Sequence, residues 1–559
     1  MMALMLGLGL LAPAEFAPQW HEVAPVSVSQ RADGVWFVDF GAAWYGTIEL
    51  RAEVAAPVEL MIAVGEKLSA PDALDTKPPG SVIYRQTPLT LAPGQAAHRP
   101  TWAPIARHND PAAVHVPAGW PEITVFRAAE IRGWPGQLVP AQVRLIALSV
   151  PFDAAQSSFD CSDPALTAVW ELCRHTIEAT TAFSVYIDGE RERIPYEADA
   201  YINQLSHYAV QAEYETARRT FRHLLAKPTW PTEWALHMPL VAHADWQATG
   251  SAALADENWD ALVGKLLRGK ARADGLLVAG GIIDWPAGER DGFGCGLKDE
   301  SDGRQIGPMV NSVVNAFGLA ALAALAELAD ATGRGDQAIE FRAQYARALP
   351  AFQAAFYDPA RGVYIDGEGC DHASLHANML PLAFGLVPEE ARRGVAEFVV
   401  SRGMACSVYG AQYLLDGLFA AGRETDAVAL LRSDGPRSWV NMLAQGTTMT
   451  MEAWNAPAKP NLTWNHAWGA VPANAISRWV LGVQPVAPGY RVVSVAPRLG
   501  DLVWVRGRVP TPHGAIDVEV DRRRGLFRIV APPGVEVLTP TAPVGGPVKV
   551  QLERRATAW

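Results

Sequence analysis

Roughly three hundred consecutive residues, from Ser162 to about 482, carry apolar side chains at helical spacing, and this run constrains the fold more than any other feature. It opens at S-D-P-A-L-T-A-V-W-E-L-C (Ser162 to Cys173), where Ser or Asp can cap a helix, Pro suits the first turn, and apolar residues recur at three or four positions. The clearest pair is V-V-N-A-F-G-L-A-A-L-A-A-L-A-E-L-A-D (Val313 to Asp330) and Q-A-I-E-F-R-A-Q-Y-A-R-A-L (Gln337 to Leu349), separated by the turn Gly333 to Gly335. About a dozen helices in paired succession, joined by loops rich in Trp, Gly and Pro, predict an α/α toroid in which helix hairpins close into a ring.

The flanks read differently. V-W-F-V-D-F-G (Val35 to Gly41), T-I-E-L-R-A-E-V (Thr47 to Val54) and V-E-L-M-I-A-V (Val58 to Val64) carry β-branched and aromatic residues between Gly and Pro breaks, which predicts an antiparallel β-sandwich. Beyond 482, R-V-V-S-V-A-P (Arg491 to Pro497), A-I-D-V-E-V (Ala515 to Val520) and L-F-R-I-V-A (Leu526 to Ala531) predict a second, smaller one. The expected division is a signal-length segment over 1–20, a β-sandwich over 21–155, the helical domain over 156–482 and a C-terminal β-sandwich over 483–559.

Composition narrows the function. The formal charge of −12 is modest for 559 residues and the basic residues form no run, so a nucleic-acid partner is disfavoured. A span of about 20 apolar residues is not evident, which argues against an integral membrane protein. The start, M-M-A-L-M-L-G-L-G-L-L-A-P-A, has the length of a signal peptide but no preceding basic residue. If it is a signal the protein is periplasmic or secreted, and otherwise cytoplasmic. The cysteines Cys161, Cys173, Cys295, Cys370 and Cys406 lack CxxC spacing and read as buried thiols, not as a zinc site or disulfide framework. His372 and His376, four apart, lack the Glu of a metalloprotease pattern, and neither metal nor cofactor is expected.

Two regions offer chemistry. D-G-E-R-E-R-I-P-Y-E-A-D (Asp188 to Asp199) holds five carboxylates and two arginines, and Pro195 prevents a continuous exposed helix through them. These charges could pair on the surface, or stand in a loop at one rim of the toroid before a helix over Glu197 to Val210. T-T-M-T-M-E-A-W-N (Thr447 to Asn455), followed by N-L-T-W-N-H-A-W-G-A (Asn461 to Ala470), sets Glu452 alone among Thr, Met and Trp, where desolvation would raise its pKa. Nineteen tryptophans, many in loops (Trp234, Trp246, Trp285, Trp454, Trp464, Trp468), suit sugar faces, while Asp, Glu, Asn and His suit hydroxyls. Asp284 and Trp285 in I-I-D-W-P-A-G-E-R-D-G-F, and His466, are further candidates for sugar contacts or for structural turns and core positions. Two carboxyl groups flanking one bond would serve glycoside cleavage.

Taken together the residues resemble the α-L-rhamnosidases of glycoside hydrolase family 78. The resemblance is carried by D-F-G-A-A-W-Y-G-T-I-E-L-R (Asp39 to Arg51), S-S-F-D-C-S-D-P-A-L-T-A-V-W (Ser157 to Trp170) and most specifically by T-T-M-T-M-E-A-W, W-N-H-A-W-G-A and P-G-Y-R-V-V-S-V-A-P-R between Thr447 and Arg498. It implies an (α/α)6 catalytic barrel flanked by N-terminal and C-terminal β-sandwiches, and an inverting exo-hydrolase releasing terminal α-L-rhamnose. It puts the general acid on Glu192, with Arg193 beside it, and the general base on Glu452, with Asp188, Asp199 and His466 and more loosely Trp285 and Trp234 around the sugar; Tyr196, Asp284 and Trp454 are further substrate-binding candidates by residue type and position. The chain departs from the family pattern in a loop two residues shorter between Asp188 and Glu192, in Tyr196 where Trp is usual, and in Glu197-Ala198 where Thr-Gly is usual; Glu190 and Glu197 are therefore rival acids. A polysaccharide lyase on the same toroid, and a carbohydrate-binding protein with a degenerate site, are the alternatives.

Overall fold

The computed structural model describes residues 17–117, 119–294, 310–539 and 549–555; the apolar start over 1–16 and Cys295 lie outside them. Among the described residues the N-terminal strands form an eight-stranded sheet whose pairings are all antiparallel. At its centre runs Trp36–Arg51, a single strand of 16 residues. The sequence suggested two strands here. They fuse because an irregularity between Asp39 and Trp44, with Gly41 at φ 84, absorbs the A-A step without ending the ladder.

The helices begin at Pro164–Ala179, where Asp163 accepts from the Ala165 and Leu166 amides and Pro occupies the first turn. Six helices then follow one another around a cycle: Glu197–Val210, His237–Thr249, Ser312–Ala331, Leu375–Ala383, Ala411–Ala420 and Val471–Ala475. Each packs on the next, and the last packs on the first. Outside this cycle, Pro164–Ala179 packs on Val471–Ala475, Glu215–Ala226 on Glu197–Val210, Gly335–Phe356 on Ser312–Ala331, Glu389–Arg402 on Leu375–Ala383, and Glu424–Leu431 on Ala411–Ala420.

The inner position explains Ser312–Ala331. Its 20 residues, with mean hydropathy 1.7 over the most apolar window, have the length and apolarity of a membrane span, contrary to the reading that no such segment exists. That window is 78% buried among its neighbours, so the helix is apolar on all sides because it is surrounded by protein.

Among the described residues the C-terminal strands make a five-stranded sheet and a three-stranded one. Ser158–Cys161, which precedes the first helix, hydrogen-bonds to Trp504–Val509 and forms the edge of the five-stranded sheet. The chain therefore contributes to its last sheet before entering the helices. Cys161, Cys173 and Cys406 are buried thiols, but Cys370 is disulfide-bonded, which corrects the expectation of thiols throughout. Approach of two Cβ atoms decides a disulfide, and linear spacing does not reveal it.

Candidate active site

The segment from Asp188 to Tyr196 is a loop cinched from inside and outside. The Asp188 amide donates to the Ile194 carbonyl and the Ile194 amide returns a bond to Asp188 Oδ1, both at 3.0 Å. Gly189 sits at φ 110, and a Cβ there would lie 2.9 Å from Asn465 Oδ1, so the bend needs glycine. Arg193, at φ 55, turns its guanidinium away from the cavity onto Glu190 (2.8 and 2.9 Å), Glu122 (2.8 Å) and the Ile123 carbonyl (3.1 Å). His108 Nε2 meets the Glu190 carbonyl at 2.6 Å and the Val114 amide donates to the Arg193 carbonyl. His108, Val114, Glu122 and Ile123 of the N-terminal domain thus hold this loop in shape. Pro195 then ends the loop and Tyr196 starts the helix Glu197–Val210, with Glu197 and Asp199 in its first turn.

The second wall comes from two segments laid side by side. The Glu452 amide donates to the Thr463 carbonyl, the Thr463 amide to Glu452 Oε2, and the His466 amide to the Thr450 carbonyl. Trp468 Nε1 donates to the Glu452 carbonyl at 3.0 Å, and the His466 ring stacks on Trp468 with centroids 4.5 Å apart. Glu452 is consequently fixed in main chain and side chain alike.

The two walls face a cavity of about 720 Å³. Asp188, Glu192, Tyr196, Asp199, Trp234, Trp285, Glu452 and His466 all line it. Arg191 crosses it: one guanidinium nitrogen lies 2.8 Å from Glu192 Oε1, and the other lies 2.9 Å from Glu452 Oε1. Since the two outer nitrogens of one planar guanidinium are about 2.3 Å apart, those carboxylate oxygens stand no more than about 8 Å from each other. Lys459 reaches Glu452 Oε1 at 3.1 Å and lies 5.4 Å from the Trp285 ring centre. The Tyr196 hydroxyl donates to Glu192 Oε2 at 3.2 Å.

Burial and charge divide the carboxyl groups. Burial, then the neighbouring Glu192 charge, holds Asp188 well above the ordinary carboxylate range against the pull of Arg191. Asp199 is raised well above it as well, by burial and then by Glu452. Glu452 is raised by burial despite Arg191 and Lys459. Burial also pushes Glu192 upward, but Arg191, Arg107 and a hydrogen bond with Asp188 together bring it below its ordinary value. His466, lowered by burial and by Arg191 and Lys459, is neutral, with Nε2 3.6 Å from Asp199 Oδ1.

Of the loop tryptophans, Trp246 lies within the helix His237–Thr249 and Trp464 is buried, and neither lines the cavity. Three of the other sequence candidates do not line it either. Arg193 is committed to Glu190 and Glu122. Asp284 lies beneath the wall, taking the Ser407 amide and hydroxyl and His376 Nε2 on its two oxygens. Trp454 is fully buried, its Nε1 donating to the Cys406 carbonyl at 2.7 Å. In each case the side chain finds its partners in the protein, a matter of loop direction that residue type does not report. Glu190 and Glu197 are also outside the cavity lining: Arg193 grips the first, and the Thr229 amide and hydroxyl bond the second. Trp468, one of the loop tryptophans, does line the cavity, which also recruits residues not singled out as site residues: Arg191, Lys459, Trp230 and, from the N-terminal domain, residues 81–85, Ile105 and Arg107. Arg107 Nη2 lies 2.5 Å from Glu192 Oε1.

The bacterial alpha-L-rhamnosidase 6 hairpin glycosidase domain model matches residues 154–480, and the bacterial alpha-L-rhamnosidase C-terminal domain model matches 482–549. An alpha-L-rhamnosidase of Alteromonas sp. (strain LOR) is 30% identical over 205 residues, which cover 33% of this chain and 21% of that protein. Among solved structures, the family 78 rhamnosidase of Bacillus sp. GL1 superposes with a TM-score of 0.72 at 22% identity, over 95% of this chain and 55% of that one. The Streptomyces avermitilis alpha-L-rhamnosidase, solved in complex with L-rhamnose, gives 0.70 at 18% identity, over 91% of this chain and 48% of that one. The chain therefore spans about half the length of these structures and matches about a fifth of the curated Alteromonas relative.

Proposed function

The chain belongs to the bacterial α-L-rhamnosidase family, glycoside hydrolase family 78, and from that premise we propose an inverting, exo-acting hydrolase that releases terminal α-L-rhamnose from a glycoside, oligosaccharide or polysaccharide side chain. The cyclic packing of six helices, each touched by an outer helix named above, with Glu215–Ala226 also packing on His237–Thr249, supports an (α/α)6 barrel over 156–482, between sheet domains over 21–155 and 483–559.

In this reading Glu192 is the general acid and Glu452 the general base. Water placed beside Glu452 loses a proton to it as its oxygen attacks the anomeric carbon. The bond from that carbon to the leaving oxygen breaks, and Glu192 gives that oxygen a proton. The observation that carries the assignment is Arg191, which touches both carboxylates and limits their oxygens to about 8 Å, compatible with the ~6.5 to 9.5 Å that lets a water stand between acid-base partners. Glu192 must be protonated to act, and its hydrogen bond with Asp188, whose carboxyl is raised by burial, gives the pair a means of holding that proton. Asp199, Tyr196, His466, Trp234 and Trp285 contact the sugar, whereas Arg193, Asp284 and Trp454 position the walls.

The test is turnover of an aryl α-L-rhamnoside by Glu192→Gln and Glu452→Gln. Both variants should keep the wild-type circular dichroism and lose hydrolysis by orders of magnitude; undiminished turnover in either overturns its assignment.

A further inference from the structure

We propose that Asn465 is the positioning residue of the general acid: its side-chain amide fixes the loop that carries Glu192 against the segment that holds Glu452. The inference rests on the hydrolysis described above, because it takes Glu192 as the proton donor. Asn465 is 1% exposed and does not line the cavity, so it acts through the groups that it holds.

Both polar atoms of its carboxamide are used. Oδ1 accepts from the Glu190 amide at 2.8 Å and from the Tyr45 hydroxyl at 3.0 Å, and Nδ2 donates to Glu66 Oε1 at 2.9 Å. Glu66 Oε2 in turn accepts from the Ile83 amide at 2.7 Å. Tyr45 and Glu66 are buried in the N-terminal sheet domain, one on the long strand Trp36–Arg51 and the other just past the strand Val58–Gly65. With two donors facing one end of the amide and a carboxyl oxygen facing the other, these partners fit one orientation of Asn465. The sheet domain thereby aims the Asn465 oxygen at the loop.

Its place in the chain gives that bond a consequence for the acid and base together. Thr463, two residues earlier, donates its amide to Glu452 Oε2 at 3.1 Å, and His466, the next residue, lines the cavity. Glu190 is two residues from Glu192, in a loop closed by the Arg193 amide on the Gly189 carbonyl and by the two bonds between Asp188 and Ile194. A shift of the Glu190 amide therefore carries Glu192 with it. Gly189 permits the close approach, since a Cβ there would stand 2.9 Å from Asn465 Oδ1 and 3.1 Å from Thr463 Oγ1. The Arg191 bridge between Glu192 and Glu452 spans the cavity that the sugar enters, whereas the Asn465 bond is buried outside it and holds the spacing with substrate present. Leucine has nearly the shape of asparagine but strands the Glu190 amide and the Tyr45 hydroxyl without an acceptor, so the loop must move to satisfy them.

The experiment measures kcat/KM of wild type, Asn465→Leu and Glu192→Gln on two aryl α-L-rhamnosides. The phenyl compound needs a proton on its leaving oxygen, whereas 2,4-dinitrophenolate departs as a stable anion without one. A displaced acid should cost Asn465→Leu about 100-fold or more on the phenyl substrate and less than about tenfold on the dinitrophenyl one, the same pattern as Glu192→Gln. A merely structural role, or a displaced base, lowers both rates by one factor, so equal losses overturn the proposal, as does no loss. If Glu192→Gln shows no such selectivity, or wild type cleaves neither substrate, the assigned reaction fails and the proposal falls with it. Should Asn465→Leu fail to fold, Asn465→Ala, which leaves room for water beside the stranded groups, should show the same selective loss. Asn465→Asp combined with Glu66→Gln reverses one hydrogen bond and keeps the others, because the new Nε2 donates to the new carboxylate while Oε1 accepts from the Ile83 amide; it should keep the wild-type ratio of the two rates. An unchanged ratio in Asn465→Ala, or a selective loss in the double variant, overturns the proposal.

Discussion

Arg193→Met tests how the loop bearing Glu192 is held. The Arg193 side chain is 1% exposed and Glu190 is 0% exposed, and the two share bonds of 2.8 and 2.9 Å. Arg193 also bonds Glu122 and the Ile123 carbonyl, joining the loop to the N-terminal domain. Removing one member of such a pair leaves an uncompensated buried charge, which costs about 3 to 5 kcal/mol. Met preserves much of the apolar stem, so the loss is chiefly electrostatic and in hydrogen bonds. Glu190→Gln combined with Arg193→Met should recover part of the loss, because the stranded charge is gone. The assay is urea unfolding of the wild type, both single variants and the double variant, read as midpoints at unchanged slope and combined as a double-mutant cycle. A destabilisation below about 1 kcal/mol for Arg193→Met, or a double variant no better than it, would refute the claim that this pair anchors the loop.

Four further outcomes are expected. The acidic limb of kcat/KM should lie above pH 4.5, because burial raises Glu452 and a base must be ionised to act; Lys459→Met should move that limb to higher pH, and a limb at or below 4.5 contradicts the assignment. Glu66, buried between Asn465 and the Ile83 amide, is raised by burial to about 8. A carboxyl raised in the folded state contributes stability that is full below its unfolded pKa and lost as pH rises through 8, so Glu66→Gln should match wild type near pH 4 and exceed it above pH 8, by denaturant midpoint. Asp199→Asn should likewise stabilise the fold at neutral pH while impairing turnover, and a variant both less stable and fully active would contradict the burial argument. Gly189→Ala places a Cβ against Asn465 at a left-handed φ and should lower the thermal midpoint and the activity together.

The helix Glu197–Val210 was legible to the residue, because Pro195, the acidic first turn and the apolar spacing agree on one boundary. The strand Leu526–Ala531 was equally legible, with alternation that survives in its burial. Trp36–Arg51 was not, since two alternating runs separated by a small-residue step read alike whether the step is a turn or a bulge. Within the candidate site, proximity in sequence placed Asp188, Glu192 and Asp199 on one loop and helix start, and Glu452 with His466 on another. The side chains that connect them were hidden for different reasons. Arg191 read as a surface partner of its neighbours, and only the fold carries it 2.9 Å from a residue 261 positions away. Arg107 comes from a strand-like region with no local sign of chemistry. Trp454 and Asp284 looked like sugar-binding types and turned inward, because an irregular loop has no period from which to read the direction of a side chain.

The most direct test of the account is the configuration of the sugar first released. Proton NMR of an aryl α-L-rhamnoside during the first minutes of hydrolysis should show the β-anomer of L-rhamnose before mutarotation, as displacement by a water between Glu192 and Glu452 requires. Initial release of the α-anomer would contradict the account.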